Sequence, residues 1–114
     1  AYTERLQGIP GLQLPVEEGW ARQVYWMYGV VLDENTGWDA VRFARILKGK
    51  GVETRPFFLG MHEQPVFLKI GLFQNEKYPV AEHISRQGLY LPSGLTLTEE
   101  KMDKVCQAIK SLCK

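Results

Sequence analysis

The longest run of hydrophobic side chains is Val24–Leu32, with the sequence VYWMYGVVL. Aromatic and β-branched residues dominate this run, which predicts a β-strand. The run lacks the polar and apolar alternation of a half-buried strand, and a strand that is apolar on both sides is typically covered on both faces. Two arrangements remain open. The domain covers both faces by itself, or one face is covered by a partner.

The segment from about Trp38 to Lys48 predicts a helix with one buried face. Its apolar residues recur at the i, i+3, i+4, i+7 spacing of a helical stripe, namely Ala40, Phe43, Ala44 and Leu47. Arg42, Arg45 and Lys48 fall on the other side and are expected to point outward. Gly49 or Gly51 is expected to take the left-handed cap at the end of this helix.

The last part of the chain predicts the clearest helix. One continuous apolar stripe is formed by Met102, Val105, Cys106, Ile109, Leu112 and Cys113. Thr96 with Glu99 matches a capping box, and Thr98 is the alternative cap. The two cysteines are roughly 10 Å apart along such a helix, too far for a disulfide, so both are predicted to be small buried side chains.

The remaining elements complete an α+β pattern. Val52–Phe58 is a predicted strand whose Pro56 cannot donate a ladder hydrogen bond, which favours a sheet edge. Pro79 fits the start of a short helix ending at Gln87, and Leu89–Leu91 is a short strand. The fold class predicted from this order is α+β, with a small antiparallel or mixed sheet and about three helices on one face. Residues 1–23 are assigned to a linker or to the end of an upstream helix.

Composition and charge exclude several classes of function. Apolar residues make up 45% and charged residues 24%, which is typical of a globular domain. The net charge of +1 does not indicate binding to nucleic acid or to an anionic membrane. The longest apolar run is too short to span a bilayer, and no signal peptide is recognisable. We therefore expect a cytoplasmic protein.

Catalytic motifs are absent from the sequence, including a nucleophile elbow, a phosphate-binding loop and paired metal ligands. Polar and apolar residues are instead concentrated in Glu53–Phe67, ETRPFFLGMHEQPVF. Such a mixture in a loop after a strand is typical of small-molecule sites. There, Arg55 can hold a carboxylate or phosphate, and His62 can hydrogen-bond a hydroxyl or phosphate. The alternative is an exposed loop with a structural arginine ion pair.

Three segments together resemble one known family. Gly51–Phe67 (GVETRPFFLGMHEQPVF), Tyr25–Glu34 (YWMYGVVLDE) and Tyr78–Ile109 (YPVAEHISRQGLYLPSGLTLTEEKMDKVCQAI) resemble, in order and spacing, the C-terminal region of the DegT/DnrJ/StrS sugar aminotransferases. Within that family they look most similar to the perosamine synthetase group. The resemblance implies that residues 24–114 are the C-terminal small domain of a fold type I aminotransferase.

The resemblance also implies the chemistry of the intact enzyme. Pyridoxal phosphate is held in a large N-terminal domain of a homodimer, and glutamate gives its amino group to a nucleotide-linked 4-keto-6-deoxy sugar, GDP-4-keto-6-deoxymannose in the perosamine group. The Schiff-base lysine and the other catalytic residues lie in the large domain, so this chain alone is expected to be inactive. In this chain the family's substrate-binding motif is matched by Arg55, Phe57, Phe58, Met61 and His62. Gly60 departs from the family, which commonly has proline before Met-His.

Two other classes of function compete with an enzyme fragment. One is a stand-alone regulatory α+β domain that binds a small molecule, and the other is an interaction module. The fragment predicts an exposed apolar patch, whereas the regulatory domain predicts its own ligand pocket and the interaction module predicts none.

Overall fold

The computed structural model describes residues 1–113 and contains one antiparallel sheet. The strands are β1 (Leu12–Gln13), β2 (Tyr28–Leu32), β3 (Arg55–Pro56) and β4 (Gly88–Leu91), in the order β1-β2-β4-β3. The two central strands pair from Tyr28 opposite Leu91 to Val31 opposite Gly88. The sheet is thus antiparallel, which confirms the predicted α+β class in its antiparallel form.

Three helices cover one face of this sheet. The helices in chain order are α1 (Tyr2–Leu6), α2 (Ala40–Gly49), α3 (Pro65–Lys69), α4 (Pro79–Gln87) and α5 (Glu99–Leu112), and there are two 3₁₀ turns, Glu34–Thr36 and Met61–Glu63. The core contains side chains from α1, α2 and α5 but none from α4. Its largest fully buried members are Phe43, Leu6, Leu32, Leu47, Leu89, Ile109 and Val30. The predicted helix at 79–87 exists, but α1 is the third helix of the core.

The predicted strand Val24–Leu32 is wrong in its first half. The strand begins at Tyr28, and Tyr25 has a φ of 50°, which is incompatible with regular strand geometry. Val24 and Trp26 are 84% and 78% exposed. From Tyr28 onward buried and half-buried residues alternate, as one core-facing side requires. The apolar run therefore combines an exposed segment with a half-buried strand, and the domain does not cover the exposed part itself.

The second predicted strand, Val52–Phe58, shrinks to Arg55–Pro56, but its position at the sheet edge is confirmed. Its first residues instead close helix α2. Gly51 has a left-handed φ of 77°, and the Val52 N–H donates to the Leu47 carbonyl at 2.9 Å. This is the Schellman arrangement, which places Val52 in the core.

Helix α5 begins two residues later than the predicted Thr96–Glu99 capping box requires. The cap is Thr98, the alternative, whose side-chain oxygen accepts from the Lys101 backbone N–H at 3.3 Å. The apolar stripe of α5 packs in the core as predicted. Both cysteines are free thiols; Cys106 is buried and Cys113 is half-buried.

The first residues of the chain pack against the sheet domain. Tyr2 and Leu6 are buried, and Arg5 of α1 bonds to Glu99 and Asp103 of α5. Strand β1 pairs with β2. Residues 2–13 therefore contribute to the core, although they fall within the segment 1–23 that the sequence assigns to a linker or to the end of an upstream helix.

The described residues extend further than a compact domain of this length. Their radius of gyration is 15.6 Å, compared with about 13 Å expected for a compact chain of this size. The segment between β1 and β2 has no regular secondary structure apart from an isolated bridge between Glu18 and Ala21, and it exposes Val16, Trp20, Val24 and Trp26. This segment therefore exposes several large apolar side chains.

Within residues 1–113, no helix combines the length and the hydrophobicity needed to cross a lipid bilayer.

Candidate functional site

An aromatic stack lies on the sheet face opposite the core. The Phe57 ring stacks on Tyr90 with centroids 4.4 Å apart, and Phe58 lies 6.0 Å from the same ring. Phe57 also covers Gly29 and Gly88, where an added Cβ would lie 2.7 and 2.4 Å from its ring atoms. The missing side chains of these two glycines thus make room for Phe57, which holds the chain after β3 against the two central strands.

The loop after this stack is fixed by a buried histidine. His62 is 7% exposed, and its Nε2 lies 3.0 Å from Glu82 Oε1 on α4. Its ring meets the Tyr78 ring edge to face at 4.8 Å. The Gln64 amide closes the loop by donating to the Leu59 carbonyl at 3.0 Å. These contacts hold the 3₁₀ turn Met61–Glu63 against α4.

Gly60 adapts this loop to the position of His62. Its φ of −57° is one that proline can adopt. A Cβ at residue 60, however, would lie 2.7 and 2.8 Å from His62 Cε1 and Nδ1. A proline at this position would therefore force the buried imidazole to move away from Gly60. The glycine that departs from the family pattern is thus coupled to the orientation of His62.

The Glu82 carboxylate on α4 is the charged group to which His62 attaches the loop. Its Oε1 accepts from the Tyr78 backbone N–H at 3.0 Å, and Arg86 donates to its Oε2 at 3.3 Å. The hydrogen bond from the Tyr78 N–H, followed by that with His62, lowers the pKa of Glu82 from 4.5 to about 2. The carboxylate therefore remains ionised at neutral pH and serves to fix the loop.

This pKa shift makes the stability of the protein depend on pH. Because the pKa of Glu82 is lower in the folded than in the unfolded state, its contribution is complete above the ordinary carboxyl pKa. The contribution is lost as the pH falls from about 4.5 towards 2. We expect Glu82→Gln to reduce the change of the urea-unfolding midpoint with pH in this window, so that a plot of the midpoint against pH becomes flatter. The exposed Glu100→Gln is the matched control; an equal flattening in both variants would contradict the assignment.

The five predicted site residues are only partly brought together. Phe57 and His62 are held against the sheet and α4, whereas Phe58 and Met61 are exposed on the same loop. Arg55 on β3 pairs with Tyr90 of β4. It lines a groove of about 810 Å³.

The groove contains functional candidates that sequence reasoning missed. Its walls come from α2, the chain around β3, the end of β4 and the segment before β2. Its charged and aromatic lining residues are Trp26, Arg45, Lys48, Glu53, Arg55 and Tyr90. The sequence predicts that Trp26 belongs to a strand and that Arg45 and Lys48 point outward; both cations are indeed exposed. The i, i+3 spacing of Arg45 and Lys48 was the available signal, because it puts both on one side of the helix.

No three His, Cys, Asp or Glu side chains of residues 1–113 come together as metal ligands would. Each lysine in this part of the chain is exposed.

Comparison with known proteins agrees with the fold. The DegT/DnrJ/EryC1/StrS aminotransferase family matches residues 1–110. Solved structures with the same fold include DesV from S. venezuelae, with a TM-score of 0.79 at 24% identity over 99% of this chain and 29% of that chain. Another is PseC from Helicobacter pylori, with a TM-score of 0.82 at 12% identity over 98% of this chain and 30% of that chain. The chain therefore shares its fold with solved structures of which it covers less than a third.

The chain belongs to the DegT/DnrJ/EryC1/StrS aminotransferase family. Similar curated proteins include the GDP-perosamine synthase of Vibrio cholerae, 26% identical over 96% of this chain and 29% of that protein. The GDP-perosamine synthase of Caulobacter vibrioides is 33% identical over 77% of this chain and 23% of that protein. The predicted resemblance is thereby confirmed. The chain spans less than a third of the length of these relatives.

Proposed function

We propose that this chain is the C-terminal small domain of a pyridoxal phosphate-dependent sugar-nucleotide aminotransferase. The intact protein transfers an amino group from glutamate to a nucleotide-linked 4-keto-6-deoxy sugar, as in perosamine synthesis, and acts as a cytoplasmic homodimer. The observation that carries this proposal is the family match over residues 1–110. Relatives named GDP-perosamine synthase support the substrate class.

The described residues do not fit the cofactor. A Schiff-base lysine must be packed against pyridoxal phosphate and shielded from water, whereas each lysine of residues 1–113 is exposed. We therefore assign the cofactor and its lysine to a large domain outside this chain and derive no catalytic step here. The 114-residue chain alone is expected to be inactive.

The part of this chain in the reaction is to position the substrate. Phe58 and Met61 are both exposed on the loop and present apolar surface that excludes water from a bound sugar. Phe57 and His62 act on the substrate by keeping that loop in place. Arg55, exposed on the edge strand, supplies positive charge for an anionic group of the substrate.

The absorbance spectrum of the protein encoded by the complete reading frame tests this proposal. We expect an aldimine band that bleaches when glutamate is added, as the amino group moves to the cofactor. The matched sample is the 114-residue chain alone, which should retain no pyridoxal phosphate once the unbound cofactor has been dialysed away. A complete protein that takes up no pyridoxal phosphate would overturn the aminotransferase and favour the regulatory ligand-binding domain.

A further inference from the structure

We propose that the groove between α2 and β3 binds the diphosphate of a nucleoside diphosphate group, with the base lying against Trp26. This inference rests on the proposed function, because a nucleotide-linked sugar carries such a group. It assigns a binding site to residues outside the loop motif. The charge of the groove, its shape and its exposed aromatic side chain all support such a ligand.

Positive charge is concentrated on two walls of the groove. Arg45 and Lys48 lie one turn apart on α2, so their side chains leave the same side of the helix. Arg55 belongs to the edge strand β3. Glu53 is the only carboxylate among the lining residues. The cations therefore outnumber the acidic group in a groove of a chain whose net charge is only +1.

The two arginines of the groove are available for a ligand. Among residues 1–113 neither Arg45 nor Arg55 takes part in an ion pair, and Lys48 lies 3.9 Å from Glu53 with both side chains largely exposed. Like charges that share a groove repel one another, and a bound anion removes this repulsion. The groove therefore has unused donors rather than a closed salt-bridge network.

A diphosphate matches these donors better than a single carboxylate does. Its oxygens carry several negative charges over two phosphorus centres, and the planar guanidinium groups can each donate two hydrogen bonds to a phosphate. One carboxylate could satisfy only one of the two arginines in this way. The volume of about 810 Å³ lies within the range of about 300–1,000 Å³ that small-molecule sites occupy.

The aromatic side chains of the groove suit a nucleobase. Trp26 is largely exposed, and Tyr90 is half-buried beneath the Phe57 ring. An exposed indole offers a flat apolar face on which any base can stack. Cations and an aromatic face in one groove distinguish a nucleotide from inorganic phosphate, which would use only the cations.

Isothermal titration calorimetry on the complete protein tests this site, with GDP and inorganic diphosphate as the probes. Arg45→Gln and Lys48→Gln should each raise the Kd for both probes by about tenfold, as expected for loss of a charge-assisted contact. Binding should also weaken as ionic strength rises. Trp26→Leu should raise the Kd for GDP while leaving the Kd for inorganic diphosphate unchanged. Lys101→Gln, an exposed cation on α5 outside the groove, is the matched control and should bind both probes as the wild type does.

Wild-type affinity for GDP in both the Arg45→Gln and Lys48→Gln proteins would overturn the site. Equal weakening in Lys101→Gln would overturn it too, because the effect would then reflect overall charge. Bleaching of the aldimine absorbance by glutamate is recorded separately in the wild-type protein and tests the proposed function alone. If bleaching occurs but the groove variants bind GDP normally, only the groove assignment fails. If the groove variants no longer bind GDP but the complete wild-type protein binds no pyridoxal phosphate, only the proposed aminotransferase function fails.

Discussion

Phe43→Ala is expected to destabilise the protein by about 3–5 kcal/mol, the cost of removing a phenyl ring from a closed core. Phe43 is completely buried on α2 and meets the edge of Trp38 with ring centroids 5.7 Å apart. The loss includes both the transfer of the ring from water and the cavity that remains. Domains of this size are stable by about 5–15 kcal/mol in total, so this one change removes a large share of the folding free energy.

Val41→Ala on the same helix is the matched control for Phe43→Ala. Val41 is 67% exposed, and surface substitutions of this kind usually change stability by less than about 0.5 kcal/mol. Chemical denaturation with urea, followed by tryptophan fluorescence, measures both variants. A loss below about 1 kcal/mol for Phe43→Ala would mean that the core collapses around the missing ring or is not closed at this position.

Gly88→Ala is expected to destabilise the protein by about 1–3 kcal/mol or more, as overpacking of a tight site does. A Cβ at Gly88 would lie 2.4 Å from the Ile84 carbonyl oxygen and 2.4 Å from the Phe57 ring. The ring can rotate away, but the carbonyl belongs to the last turn of α4 and cannot. Strand β4 would therefore have to separate from the helix that precedes it.

Gly29→Ala provides the contrast to Gly88→Ala, because its new Cβ would come within 3.0 Å of the Phe57 ring alone. Combining each alanine with Phe57→Leu gives a double-mutant cycle. The second change should relieve most of the cost at Gly29 but leave the Ile84 contact at Gly88. Thermal unfolding of the three single variants, the two double variants and the wild type measures this. Equal relief at both positions would show that Phe57, and not the backbone, limits both sites.

Helices were easier to predict from this sequence than strands. Helix α5 could be predicted directly from its apolar stripe, because apolar residues at helical spacing identify the buried face of a helix. Strand β2 did not, because Val24 and Trp26 have strand-like composition but are exposed. Whether an apolar residue is buried depends on what packs against it, and the sequence of one segment does not contain that information. For the same reason helix α1 was not recognised as part of the core.

The candidate site was predictable only where a contiguous motif marked it. Residues 55–62 stood out as a mixture of polar and aromatic side chains, and they form the β3 edge and the loop attached to α4. The pairing of His62 with Glu82 spans twenty positions of the chain, and the groove joins residues from Trp26 to Ser93. Such contacts arise from the topology of the sheet, so no local sequence pattern predicts them.

The brevity of the edge strands bears on aggregation. Both outer strands, β1 and β3, are only two residues long, and β3 contains Pro56, which has no N–H to offer. A further strand from another molecule would find little backbone to pair with at either side of the sheet. We therefore expect any self-association of this chain to proceed through its exposed tryptophans, and to be suppressed by changing those side chains rather than by protecting the sheet.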